Sequence, residues 1–115
     1  MPRDREILEK TYAAFNARDM EAVLALMHPD VDWPNGWEGG RVQGREGVRD
    51  YWTRQWAAID PHVEPIEFRA GDGHRTVVTV HQVVRDHAGK LLADETVRHV
   101  YVIRDSLIRS MDIEK

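Results

Sequence analysis

HRTVVTVHQVVRDHAGKLLADETVRHVYVIRDSLIRSMDIE, residues 74–114, is the stretch on which the fold turns. It is three extended segments separated by turn chemistry. Val, Thr and Ile dominate from His74 to Arg85, from Leu91 to Arg104 and from Leu107 to Glu114, as pleated surfaces favour. Asp86-His87-Ala88-Gly89 reads as a hairpin loop with glycine at the left-handed position, and Asp105-Ser106 as a tight turn. Three strands joined this way form an antiparallel meander.

Upstream, Ile66, Phe68 and Ala70 alternate with Glu67 and Arg69, which predicts one more strand before the Gly71-Asp72-Gly73 turn. Earlier still the period changes to that of helices. Leu8, Thr11, Tyr12 and Phe15 share a face of a helix over 3–17. Asp19 caps a second helix with a Met20, Val23, Leu24, Met27 stripe, which His28-Pro29 is expected to stop. Val31 to Asn35 is short and extended. A glycine-rich stretch (Gly36, Gly39, Gly40, Gly44) leads to a third helix over 45–59 with Val48, Trp52, Gln55, Trp56 and Ile59 on its stripe. Helices first and a long meander after predict an α+β fold: three N-terminal helices packed on a strongly curved antiparallel or mixed sheet, a cone-shaped, barrel-like roll with one pocket.

The 115 residues are expected to form a single domain, residues 1–115, large enough to bury a core without cross-links. Net charge is −4, with acids and bases interspersed. No basic stripe marks a nucleic-acid partner, and no apolar run approaches the ~20 residues of a membrane helix. The sequence has no cysteine, so thiolate and disulfide chemistry are excluded. A cytoplasmic location is expected. There is no glycine-rich phosphate cradle of the GxGxxG or Walker type, and neither a cofactor nor a metal is expected.

Several stretches resemble the polyketide-cyclase-like (SnoaL-like) domains of the nuclear-transport-factor-2-like superfamily, which includes ketosteroid isomerases. They are Tyr12-Ala13-Ala14-Phe15-Asn16-Ala17-Arg18-Asp19, Leu24 to Val31, Gly44-Arg45-Glu46-Gly47-Val48-Arg49-Asp50-Tyr51-Trp52, and Val102 to Ile108. The resemblance implies a curved sheet around a pocket for a small-molecule ligand, and commonly a homodimer. It does not imply one chemistry, because this fold hosts isomerases, cyclases, dehydratases and non-catalytic binders. The position of the isomerase carboxylate falls on Trp33 or Asn35, neither of which is a base. The isomerase tyrosine falls on Thr11, next to Tyr12, and its second acid on His99 or Arg98. Steroid isomerisation is therefore not predicted.

The residues offer their own candidates. If Arg85 pairs with Leu91 and no residue is inserted, His81 stands opposite Glu95. If Ile103 pairs with Ile108, Asp112 stands opposite His99, with Tyr101 nearby. A histidine beside a carboxylate is a general-base arrangement, but it is equally common as a plain hydrogen bond on a wet face. His99, His81, Glu95, Tyr101 and Asp112 are the catalytic candidates. The two histidines with Glu95 also resemble a two-histidine, one-carboxylate metal site, the less favoured reading. Trp33, Asn35, Trp37, Trp52, Trp56, Tyr12 and Phe15 are the ligand-binding candidates, and Gly39-Gly40 gives the loop beside Trp37 hinge freedom. A one-residue slip would move the whole set to the other face. With the histidines inside, a valine-rich face is left outside, which predicts a homodimer through the sheet. The function expected is acid–base chemistry of the isomerase, cyclase or dehydratase type on a small cyclic or aromatic molecule. The alternative is a binding or dimerisation module that performs no reaction.

Overall fold

The structure is a computed structural model and describes residues 2–114. Three helices, α1 (Pro2–Asn16), α2 (Met20–Ala25) and α3 (Gly44–Ala58), cover one face of a six-stranded sheet. The strands are β1 (Met27–Pro34), β2 (Arg41–Gln43), β3 (Asp60–Ala70), β4 (Arg75–Arg85), β5 (Leu91–Arg104) and β6 (Leu107–Glu114). Their spatial order is β2-β1-β6-β5-β4-β3. Only β1 and β6 run parallel; the other neighbours are antiparallel. The sheet is open, with β2 and β3 at its edges. The α+β expectation and the three helices hold.

Local chemistry explains the boundaries. The Asp19 carboxylate accepts the Ala22 amide at 3.2 Å and so caps α2. That helix ends at Ala25, and β1 begins at Met27, so His28-Pro29 lies inside a strand and is not the helix stop. The third helix ends at Ala58, and Asp60-Pro61, directly after its cap residue Ile59, opens β3. Asp105 and Ser106 both take positive φ, 55° and 63°, as the two-residue I′ hairpin requires. Gly89 sits at φ 91° as the loop reading foresaw, and the Asp86 carboxylate accepts the Ala88 and Lys90 amides beneath it. β2 had no signature in the sequence.

Both expected closing pairs form, Arg85 with Leu91 and Ile103 with Ile108. Immediately beyond each, however, the strand carries one extra residue. Val84 pairs with Ala93, which leaves Leu92 as the inserted residue, and Val102 pairs with Ser110, which leaves Arg109. Ile66 is a third insertion, on β3. Each is a β-bulge, and a bulge reverses parity for everything past it. Consequently His81 stands opposite Thr96 and His99 opposite Ile113, so the His81–Glu95 and His99–Asp112 pairs do not form.

The inward face combines odd residues of β5 with even residues of β4. Val78, Val80, Val97 and Tyr101 are nearly or fully buried there, against Leu8, Tyr12, Val48 and Trp52 of the helices. The valines expected as one outer patch are therefore divided between two faces. The outer face alternates Val77, Val83 and Val100 with His81, Asp94, Arg98 and Glu114, and an Arg98–Glu114 ion pair crosses it. The argument for pairing two copies through this face loses its premise.

Three side-chain pins fix the helices over the sheet. Asn16 donates to the Val63 carbonyl at 2.7 Å and accepts the Val63 amide at 3.0 Å, which ties the end of α1 to β3. Arg45 holds the Met27 carbonyl with two nitrogens, at 2.9 and 2.6 Å, and ties α3 to β1. Arg18 reaches Asp60 and lies over the Phe15 and Trp56 rings.

Candidate ligand-binding site

Between helices and sheet lies a cavity of about 590 Å³, within the range of small-molecule pockets. Its helix side is built from Thr11, Tyr12 and Phe15 of α1 and from Tyr51, Trp52 and Gln55 of α3. Its sheet side comes from Trp33 of β1, Gln82 and Val84 of β4, Glu95, Val97, His99 and Tyr101 of β5, and Met111 and Ile113 of β6.

The centre of the site is a buried chain of three polar side chains. Tyr101 donates its hydroxyl proton to the Tyr12 oxygen at 2.8 Å. The Tyr12 hydroxyl lies 2.8 Å from Nδ1 of His99, and the two rings are stacked 17° from parallel. His99 is 5% exposed. Burial disfavours the imidazolium and holds the His99 pKa down at about 4, so the ring is neutral at physiological pH. Burial also raises both phenols well above their usual range. Proton counting then fixes the tautomer. Tyr12 receives one proton from Tyr101 and has its own left to give, which Nδ1 accepts. A neutral imidazole accepting at Nδ1 carries its proton at Nε2. That Nε2 is buried and has no hydrogen-bond partner. An unsatisfied buried donor costs about 1–3 kcal/mol, and a ligand oxygen would relieve it.

Aromatic rings wall the chamber. Trp33 meets Trp52 edge-on at 5.5 Å and tilts against Tyr101 at 6.2 Å; Phe15 meets Trp52 edge-on at 5.2 Å. Trp37, 39% exposed, stands at the rim with Leu92. Trp56 is different: it stacks on Trp52 at 5.6 Å from behind and does not line the cavity.

The remaining expected residues fall as follows. His81 lies on the outer face, 2.6 Å from Asp94 and outside the cavity. That separates it from His99 and removes the two-histidine, one-carboxylate arrangement. Among the described residues, no group of three or more His, Cys, Asp and Glu side chains is placed to hold a metal ion. Asp112 touches the cavity edge but is held by Arg41 at 2.9 Å, the same guanidinium that holds Asp32 at 2.8 Å. Asn35 is buried, and its amide is occupied within its own loop: its oxygen accepts the Trp37 and Glu38 amides while its nitrogen donates to Glu38. Glu95 lines the cavity, two inward-facing positions along β5 from His99. Tyr51, Gln55 and Gln82 are cavity residues that the sequence reading did not single out. For Gln55 there was a signal, a polar residue on an otherwise apolar helical stripe.

A sequence profile of the SnoaL-like domain matches residues 8–111. No curated protein matches the chain. Among solved structures, TerC co-crystallised with polyporic acid superposes with a TM-score of 0.83 at 29% identity, covering 96% of this chain and 89% of that one. An NTF2-like protein of unknown function from Burkholderia pseudomallei gives 0.84 at 25% identity, covering 99% and 91%. A Mycobacterium tuberculosis protein in complex with estradiol-17beta-hemisuccinate gives 0.81 at 19% identity, covering 95% and 90%, a likeness of fold. A profile spanning nearly the whole sequence and a shared cone of helices over a curved sheet lead to one conclusion: the chain belongs to the SnoaL-like domain family.

Proposed function

We propose that the cavity binds a small cyclic or aromatic carbonyl compound and that the protein moves a proton on it. The observation that carries this reading is the unpartnered Nε2–H of His99 at the end of the Tyr101–Tyr12 chain. A neutral donor held among aromatic and apolar side chains stabilises negative charge developing on a carbonyl oxygen, and its orientation is set before the ligand arrives. Tyr12 holds the ring by its other nitrogen, and Tyr101 polarises Tyr12. His99 is thus the oxygen-binding group, and the base falls to Glu95, the inward carboxylate of the same strand. The two are four residues apart, roughly 13 Å between α-carbons on an extended strand, so the ligand and both side chains share that span. The tryptophans supply flat apolar walls. The ligands carried by TerC and by the M. tuberculosis protein support a small organic occupant.

The test is hydrogen–deuterium exchange of α-tetralone and related cyclic ketones in D₂O, followed by proton NMR. Wild-type protein is expected to accelerate loss of the α-proton signal at least about tenfold over buffer. Glu95→Gln should abolish the acceleration while leaving binding. His99→Asn keeps an acceptor for Tyr12 and removes the atom at Nε2, and it should weaken both. Binding without exchange would instead establish the second reading, a non-catalytic binder. That reading is favoured by the engagement of Asn35 and Asp112 with other protein groups.

A further inference from the structure

On the helix side of the cavity, Gln55 repeats the situation of His99. Its nitrogen donates to the Tyr51 hydroxyl at 3.2 Å, but its Oε1 is buried without a hydrogen-bond partner, and the residue lines the cavity. The neighbouring polar groups do not reach it. Glu38 is bound to Arg54 at 2.8 Å and to Asn35 at 3.0 Å, while burial raises the Tyr51 pKa against hydrogen bonds from the Gly36 and Trp37 backbone. Two residues on opposite walls of the cavity thus each carry a buried, unmatched atom: an N–H of His99 on the sheet and a carbonyl oxygen of Gln55 on α3.

We infer that Gln55 is the specificity-determining residue of this site, and that its Oε1 accepts a hydrogen bond from a hydroxyl on the ligand, which selects hydroxylated cyclic or aromatic ketones. The inference rests on the reading of His99 above and extends it to the far end of the ligand. The chemistry of the two atoms sets the class. Nε2–H calls for an oxygen acceptor, and an amide oxygen calls for a donor. A carboxylate at the second position would be repelled by Oε1, and an ether would leave it unsatisfied. A site built to hydrogen-bond a hydroxyl rejects the analogue that lacks it far more strongly than an apolar pocket discriminates by size. Trp52 and Phe15 lie alongside and leave a flat ring system as the connection between the two ends.

The experiment compares α-tetralone with the positional isomers of hydroxy-α-tetralone and their methyl ethers, with affinity read from quenching of the tryptophan fluorescence. In wild-type protein the best hydroxy isomer should bind at least about tenfold tighter than its methyl ether, a difference of about 1.4 kcal/mol. Gln55→Met keeps length and volume but removes both hydrogen-bonding groups, and the gap should fall below about twofold. Gln55→Glu retains an acceptor and should retain the gap, which shows that any loss in Gln55→Met is not one of folding. Equal binding of hydroxy and methoxy isomers to wild type, or a gap that survives in Gln55→Met, overturns the inference. If the gap depends on Gln55 while His99→Asn leaves α-tetralone affinity untouched, the reading of His99 fails and that of Gln55 stands. If wild type binds none of the series, both fail.

Discussion

At the scale of single residues, the neutral state of His99 has a thermodynamic consequence. Its pKa of about 4 in the folded protein lies below the 6.5 of a free imidazole. The unfolded chain therefore binds more protons between those values, and stability falls as pH drops from about 6.5 to 4. Above 6.5 the contribution is complete; below 4 it has been lost, and it amounts to roughly 3 kcal/mol. Tyr12 and Tyr101 are raised well above 10 and do not titrate in this window. Urea unfolding of wild type and His99→Gln across pH 4–7 should show a steeper decline for wild type, and parallel curves would contradict a buried neutral ring. His99 was legible in the sequence as a pocket residue, because β5 alternates cleanly through Val97, His99 and Tyr101. Its partner was not: Tyr12 lies 87 positions away on a helix, and only the packing of α1 across the sheet brings the two together.

At the scale of elements, helix positions depend on a few polar pins as well as on apolar stripes. The two Asn16 hydrogen bonds to Val63 satisfy one backbone donor and one acceptor of β3 at the edge of the sheet. Replacing Asn16 with Leu leaves both groups without that partner, and it should cost roughly 2 kcal/mol. The measurements are the urea midpoint and the exchange rate of the Val63 amide, which should rise more than that of the Val80 amide in the sheet interior. Helix spans and hairpin turns were readable because capping, glycine and β-branched residues act locally. The bulges were not. Leu92 and Arg109 are ordinary strand residues, and nothing in their chemistry marks them as insertions. The cross-strand pairs were therefore placed one residue out, and His81 was assigned to the wrong face.

At the scale of the whole molecule, one continuous core joins the helices to the sheet, from Leu8 and Trp52 to Val80 and Ile108. Trp33, Trp37, Trp52 and Trp56 all sit in or beside the contact between the layers, so tryptophan fluorescence reports its opening. Far-UV circular dichroism reports the strands and helices themselves. Unfolding should be a single transition with coincident midpoints by the two probes; an earlier fluorescence change would show that the helical layer detaches first. The global architecture was legible because the order of periodicities, helical then extended, leaves few topologies. The composition of the cavity wall was harder to read, since it depends on the parity of each strand relative to its neighbour.

That parity makes the lining unusually easy to rewrite. Loss of the one codon for Val83 would leave the Asp86–Gly89 loop and the bulge at Leu92 as they are and draw the rest of β4 a single step along β5. His81 would then turn in beside Glu95, and Gln82 would turn out, with no amino acid replaced. Short in-frame deletions at the strand ends are thus a route by which one scaffold of this kind can exchange its chemistry wholesale, where point substitutions would have to alter each position in turn.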